Sequence, residues 1–223
     1  MSHFKSTVEC YDCHQQVRDL KSHRSNCVNS KKTKCQIKDL QADFKANAAV
    51  SDSKDRYFLF DTSGSMTGTR IESAKSTALE LFDAYPENDR IAVITFDTTP
   101  YFRLKPRPVG QIRRQNELSP LFSRFKTEGN TSIWDSIFMA VNQIRGNPTV
   151  ILNTITDGED NSSVHTYKEV LELIAKYPNV TLNIIHVSDK EHEPYKNVCA
   201  VTKGIYKIIT EIEIKTTMKI VMC

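Results

Sequence analysis

The stretch Tyr57-Phe-Leu-Phe-Asp-Thr-Ser-Gly-Ser65 decides the fold. Tyr57–Phe60 is an apolar run of strand length, and the polar run Asp61-Thr-Ser-Gly-Ser65 follows it directly. A strand buried on both faces reads as a continuous apolar run, because helices cover it above and below. Downstream, helical and strand patterns alternate. Arg70–Tyr85 spaces Ile71, Ala74, Ala78, Leu81, Phe82 and Tyr85 as a helix does. Ile91–Phe96 reads as a second strand and Tyr101–Leu104 as a third, short one. Ser132–Ile144 is a helix stopped by Gly146 and Pro148, and Val150–Ile155 is a strand. Tyr167–Ala175 (helix), Val180–Val187 (strand), Glu193–Thr202 (helix, closed by Gly204) and Ile205–Ile214 (strand) complete the pattern. Such alternation predicts an α/β fold with a doubly wound, mostly parallel sheet, whose ligands sit outside the carboxyl ends of the strands.

Composition agrees with a packed body. Of 223 residues, 39% are hydrophobic and 26% charged, enough for a core and too polar for a membrane-embedded chain. No apolar run approaches the roughly 18 residues of a membrane-spanning helix. The opening MSHFKSTVECYDCHQQ has neither an apolar stretch nor a small-residue cleavage site, so the expectation is an intracellular protein with reduced cysteines. On that expectation the sequons at Asn130, Asn161 and Asn179 have no glycosylation meaning. The formal net charge of +3 hides an asymmetry. Residues 1–54 hold ten Lys/Arg against six Asp/Glu, net +4, whereas residues 55–223 hold twenty against twenty-one, net −1.

Three polar loops follow strands or open a helix: Asp61–Ser65, Glu128–Thr131 and Thr156–Asp160. Parallel strands bring all three to one edge of the sheet. The cluster would contain two carboxylates and three hydroxyls, a hard oxygen set that suits Mg²⁺, Mn²⁺ or Ca²⁺ and not zinc. So many neutral ligands leave a cation short of negative charge, and a carboxylate from a partner protein could complete it. Other readings of the first loop are weaker. Asp61 could simply cap the next helix. Asp61 to Glu72 has the ends of an EF-hand loop, but Met66 occupies the position that needs Gly. Asp-Thr-Ser-Gly also resembles an aspartic protease signature, but Thr156-Asp157-Gly-Glu stands in a different context from the second Asp that chemistry needs.

The arrangement resembles the von Willebrand factor type A domain and its metal-ion-dependent adhesion site. The family's Asp-x-Ser-x-Ser, loop Thr and later Asp match Asp61, Ser63, Ser65, Thr131 and Asp157, over roughly residues 55–210. The resemblance implies a sheet parallel except for one edge strand near Tyr101–Leu104. It also implies direct coordination by Ser63, Ser65 and Thr131, with Asp61 and Asp157 partly through water. Asn130 departs from the family, where many members have a second Gly.

A second constellation lies upstream. Cys10-x₂-Cys13-x₉-His23-x₃-Cys27 has zinc-ligand spacing, with His23 and Cys27 four apart on one helical face and Val17 and Leu20 as a minimal core. A module this small rarely folds without a metal or a disulfide, so zinc would nucleate it. It resembles the small Cys-Cys-His-Cys fingers of the ubiquitin-binding type, although the middle spacing is shorter than theirs. Cys10-Tyr-Asp-Cys13-His14 also fits a haem attachment sequence, rejected for want of an apolar haem pocket and an export signal.

The chain therefore divides into a finger (5–30), a Lys-rich linker (31–54), a type A domain (55–214) and an extension (215–223). The expected function is non-enzymatic: a module binding an acidic residue of a partner protein through Mg²⁺ (or Mn²⁺ or Ca²⁺), with a zinc finger (Zn²⁺) contacting ubiquitin or another protein, and no membrane. The alternatives are a nucleic-acid adaptor using the finger and Lys31–Lys38, and a metal-dependent hydrolase, for which Glu159 and Asp160 are the spare carboxylates of the site. The basic group Arg103–Arg107 with Arg113 and Arg114 reads as a solvated loop, His186 and Cys199 as core residues, and Trp134 as a packing residue or, if exposed, a contact anchor.

Overall fold

The computed structural model describes residues 53–222, together with two short strands, β1 (Val8–Glu9) and β2 (Gln16–Val17). These two pair antiparallel, Val8 opposite Val17 and Glu9 opposite Gln16. The sequence between them contains Cys10 and Cys13; all four predicted zinc ligands, Cys10, Cys13, His23 and Cys27, lie outside the described residues, as do residues 31–52 of the predicted linker and Cys223. Residues 1–51 and 52–223 are separate units.

The second unit is built on a six-stranded sheet: β3 (Lys54–Asp61), β4 (Arg90–Phe96), β5 (Pro100–Pro108), β6 (Thr149–Thr156), β7 (Val180–Val187) and β8 (Tyr206–Ile209). Their order is β5-β4-β3-β6-β7-β8, all parallel except the antiparallel edge strand β5. Alternation along β3 sends Phe58 and Phe60 into one core and Tyr57 and Leu59 into the other. On the first side lie α1 (Thr69–Ala84), α2 (Val109–Gln115), α3 (Leu118–Phe122) and α7 (Ile214–Val221). On the second lie α4 (Ile133–Asn142), α5 (Tyr167–Ile174) and α6 (Glu193–Val201). Each large aliphatic residue buried between sheet and helix contributes about 1.5–3 kcal/mol, so this double layer dominates stability.

Buried polar pairs fix the edge of the sheet opposite the polar loops. Arg56 Nε donates to Asp89 Oδ2 at 2.7 Å, both side chains being buried, and the guanidinium stacks 4.1 Å from the centre of the Tyr85 ring. Arg113 closes α1 by donating to the carbonyls of Phe82, Asp83 and Tyr85 at its carboxyl end, where helix geometry leaves carbonyls short of partners; the Phe82 carbonyl also accepts the Tyr85 N–H.

Two sequence expectations need correction. The last strand does not run from Ile205 to Ile214. It ends at Ile209, and Glu211–Glu213 is a 3-10 turn opening α7. The reason is a capping box: the Glu213 carboxylate accepts from the Thr210 backbone N–H and the Thr210 hydroxyl. Ile214, Met218 and Val221 then bury one helical face, so the chain beyond residue 214 belongs to the core. Second, the basic segment Arg103–Arg107 is not a loop. It lies in β5, with Arg103 Nε donating to the Thr95 hydroxyl at 2.7 Å. Trp134 is buried against Tyr167 and Tyr195, in line with its reading as a packing residue. His186 and Cys199 are core residues, and burial holds the His186 imidazole below its ordinary pKa. No helix among the described residues is long and apolar enough to cross a membrane.

Candidate functional site

The parallel register sets the site. Phe60 on β3 pairs with Ile155 on β6, so Asp61 and Thr156 stand level at the carboxyl edge of the sheet, where both strands give way to loops. The Thr156 hydroxyl donates to Asp61 Oδ2 at 2.5 Å, and the Ser63 backbone N–H donates to Asp61 Oδ1 at 2.8 Å. Asp61 does not cap α1, whose N-cap is Gly68. Its carboxyl is fully buried, and no basic side chain pairs with it among the described residues. Burial pushes its pKa up to about 6, against hydrogen bonds from Ser63 and Thr156 that pull it down.

The two serines and Asp157 form a chain of contacts. Ser63 Oγ and Ser65 Oγ are 3.2 Å apart, and Ser65 Oγ donates to Asp157 Oδ1 at 2.7 Å. The other oxygen of Asp157 accepts from Arg70 Nη1 in an ion pair. Thr131 joins from the second loop, at the start of α4. Its carbonyl accepts the backbone N–H groups of Asn161 and Ser162, and its N–H donates to Asn161 Oδ1 at 2.8 Å. A Cβ on Gly158 would lie 3.2 Å from the Thr131 hydroxyl, which places that hydroxyl against the Asp157 loop.

Backbone bonds lace the loops together. Glu128 N–H donates to the Thr62 carbonyl at 2.9 Å, and Gly64 N–H to the Gly129 carbonyl at 3.2 Å. Gly129 has φ +74°, and a Cβ there would lie 2.6 Å from the Thr98 hydroxyl, so glycine is required twice over. Asn130, where the family often has a second Gly, donates its backbone N–H to that same Thr98 hydroxyl at 3.2 Å.

All five residues expected at the sheet edge thus lie on loops that touch. Sequence reasoning missed Thr156, Asn161 and Arg70, which hold them. Thr156 precedes Asp157 in the chain and was visible as a neighbour; Arg70 has no local signature, because its partner is 87 positions away. Among the described residues no three His, Cys, Asp or Glu side chains converge as a metal cage, so any cation here must rely on the hydroxyls.

Residues 57–159 match the family model of the von Willebrand factor type A domain. The second unit has the type A fold. A von Willebrand factor type A protein from Catenulispora acidiphila superposes with a TM-score of 0.67 at 15% identity, over 75% of this chain and 41% of that one. The SpRpn10 VWA domain gives 0.57 at 17%, over 71% and 89%. Proximal thread matrix protein 1 from the mussel byssus, with a zinc-occupied MIDAS motif, gives 0.62 at 18%, over 77% and 45%. At these identities the likeness is one of fold. An uncharacterised protein of Synechocystis sp. is 32% identical over 124 residues, 52% of this chain and 29% of its own length. The chain therefore spans under a third of that relative.

Proposed function

We propose that this type A domain is a protein-binding module that captures an acidic side chain of a partner through a divalent cation. Ser63, Ser65 and Thr131 would hold the cation directly, with Asp61 and Asp157 behind them. Asp61 supports this reading most: a carboxylate fully buried at a sheet edge, without a basic partner among the described residues, is costly unless a cation compensates it. The all-oxygen donor set favours Mg²⁺, Mn²⁺ or Ca²⁺. When bound, the cation supplies positive charge and a coordination position for an anionic group. The protein's part is orientation: Asp157 accepts the Ser65 hydroxyl hydrogen bond, which leaves the serine oxygen's lone pairs for coordination.

Binding rather than hydrolysis is favoured by the loop's other carboxylates. Asp160 accepts the Ser163 hydroxyl at 2.5 Å, and Glu159 projects into solvent, 3.9 Å from His192 Nε2. Neither is a free base beside the cluster. A zinc module of Cys10, Cys13, His23 and Cys27 would add a second contact, to ubiquitin or another protein. The antiparallel pairing of β1 with β2, which brackets the Cys10–Cys13 segment in sequence, supports a knuckle there.

The test is a pull-down from lysate with Mg²⁺ or EDTA, using the wild type and Asp61→Ala with Ser63→Ala. Capture should depend on Mg²⁺ and vanish in the double variant while its far-UV circular dichroism is kept. Capture indifferent to both EDTA and the variant would sink the proposal.

A further inference from the structure

Arg70 stands in the first turn of α1, five positions after Ser65. Its guanidinium makes three bonds. Nη1 donates to Asp157 and, at 3.2 Å, to the Ser65 carbonyl; Nε donates to Glu211 Oε2 at 3.1 Å. The three charged side chains differ in setting. The Asp157 side chain is 1% exposed, Arg70 is 34% exposed and Glu211 41%. One positive charge is thus shared between a buried carboxylate of the candidate site and a solvent-facing carboxylate outside it. Both oxygens of Asp157 are taken, one by the Ser65 hydroxyl and one by this guanidinium.

We propose that Arg70 is a built-in competitor for the divalent cation at Asp157, and that Glu211 sets how strongly it competes. This rests on the reading of the cluster as a cation site. The charges argue for it. Asp61, Asp157 and a divalent ion sum to zero, and Arg70 adds one positive charge in direct contact with Asp157. A cation entering among the hydroxyls meets a carboxylate whose charge is already engaged, so its affinity is held down. A loaded site with Arg70 still in place carries excess positive charge, which favours the arrival of an anionic partner group. Glu211 opposes this by drawing the guanidinium outward. A merely structural Arg70, one that only orients Asp157, has the opposite signature: its removal would loosen the site.

The experiment is Mn²⁺ titration of the full chain, followed by the electron paramagnetic resonance of free Mn²⁺. The sites that matter are those abolished by Asp61→Ala with Ser63→Ala. Arg70→Gln should tighten Mn²⁺ binding about tenfold. Glu211→Gln should weaken it several-fold, because Arg70 then rests wholly on Asp157. The double variant should match Arg70→Gln alone, since Glu211 acts only through Arg70. Unchanged or weaker binding by Arg70→Gln overturns the proposal. Glu211 lies on the surface, so Glu211→Gln remains an independent test if Arg70→Gln does not fold; unchanged or tighter binding there overturns it too. If neither wild type nor Arg70→Gln shows a Mn²⁺ site that the Asp61/Ser63 pair removes, the cation reading itself fails, and this proposal with it.

Discussion

Thr156 donates its hydroxyl to Asp61 across 2.5 Å, joining the ends of two neighbouring strands whose residues are 95 apart in the chain. The bond ties the first and third loops of the candidate site at their root. It also leaves Asp61 solvated only by dipoles, in a place where water cannot help.

Titration of Asp61 therefore shapes stability in the cation-free protein. Its folded pKa of about 6 lies above the ordinary carboxylate value, so the folded state holds the proton more tightly than the unfolded chain does. Stability from this group is present below about pH 4 and is lost as pH rises to about 6, by at most about 3 kcal/mol. Asp61→Asn should remove that slope and raise the melting temperature at pH 7 in EDTA. The Thr156 hydroxyl can turn to the Gly158 carbonyl, 3.3 Å away, so the amide is tolerated. Thermal melts across pH 4–7, with and without Mg²⁺, check this; a wild-type slope of unchanged size in the variant would contradict it.

Asp89 should be among the most sensitive positions for stability. It accepts from Arg56 at 2.7 Å and from the Lys54 backbone N–H at 3.0 Å, inside the protein. Asp89→Ala removes the buried carboxylate that faces this guanidinium and should cost about 3–5 kcal/mol in urea unfolding. Arg107 and Glu117, also paired but one-third exposed, should cost under about 1 kcal/mol when either is replaced by Ala.

Gly129→Ala combines a left-handed backbone with a clash against the Thr98 hydroxyl. The backbone alone costs about 1–2 kcal/mol, and the Thr131 loop must shift to relieve the contact. The expected outcome is a lower melting temperature together with weakened cation binding. Gly129→Ala with Thr98→Ala should recover part of the loss, measured by the same melts and titrations.

Metal analysis of freshly purified protein should find about one zinc per chain, removed by Cys10→Ser with Cys13→Ser. The Mg²⁺ response of the type A domain should persist in that variant, because the two constellations occupy separate units.

The sheet was legible because its strands are apolar on both faces, and the convergence of the loops followed from parallel pairing. The two helices after β5 were not read. Pro106, Pro108 and Pro120 punctuate that region as a loop would, yet Pro108 sits at the N-cap of α2, and Val109 and Ile112 bury its single turn of apolar face. The overrun of β8 had a readable warning in Thr210-x-x-Glu213, a helix-start signature inside an apolar run. Arg70 was not legible at all. Nothing in the local sequence distinguishes a surface arginine on an amphipathic helix from one whose partner arrives on another strand.

The placement of β3 has a kinetic meaning. Both of its neighbours in the sheet come from downstream in the chain, β4 from residues shortly after it and β6 from far beyond them. Asp61 meets Phe96 early in any ordering of the chain, but it meets Thr156 only after nearly a hundred residues have been organised. Long-range pairings of that kind form late. The candidate site is therefore a product of completed folding rather than a nucleus for it. A bound cation should leave the refolding rate nearly unchanged and slow unfolding, acting as a latch on a finished structure.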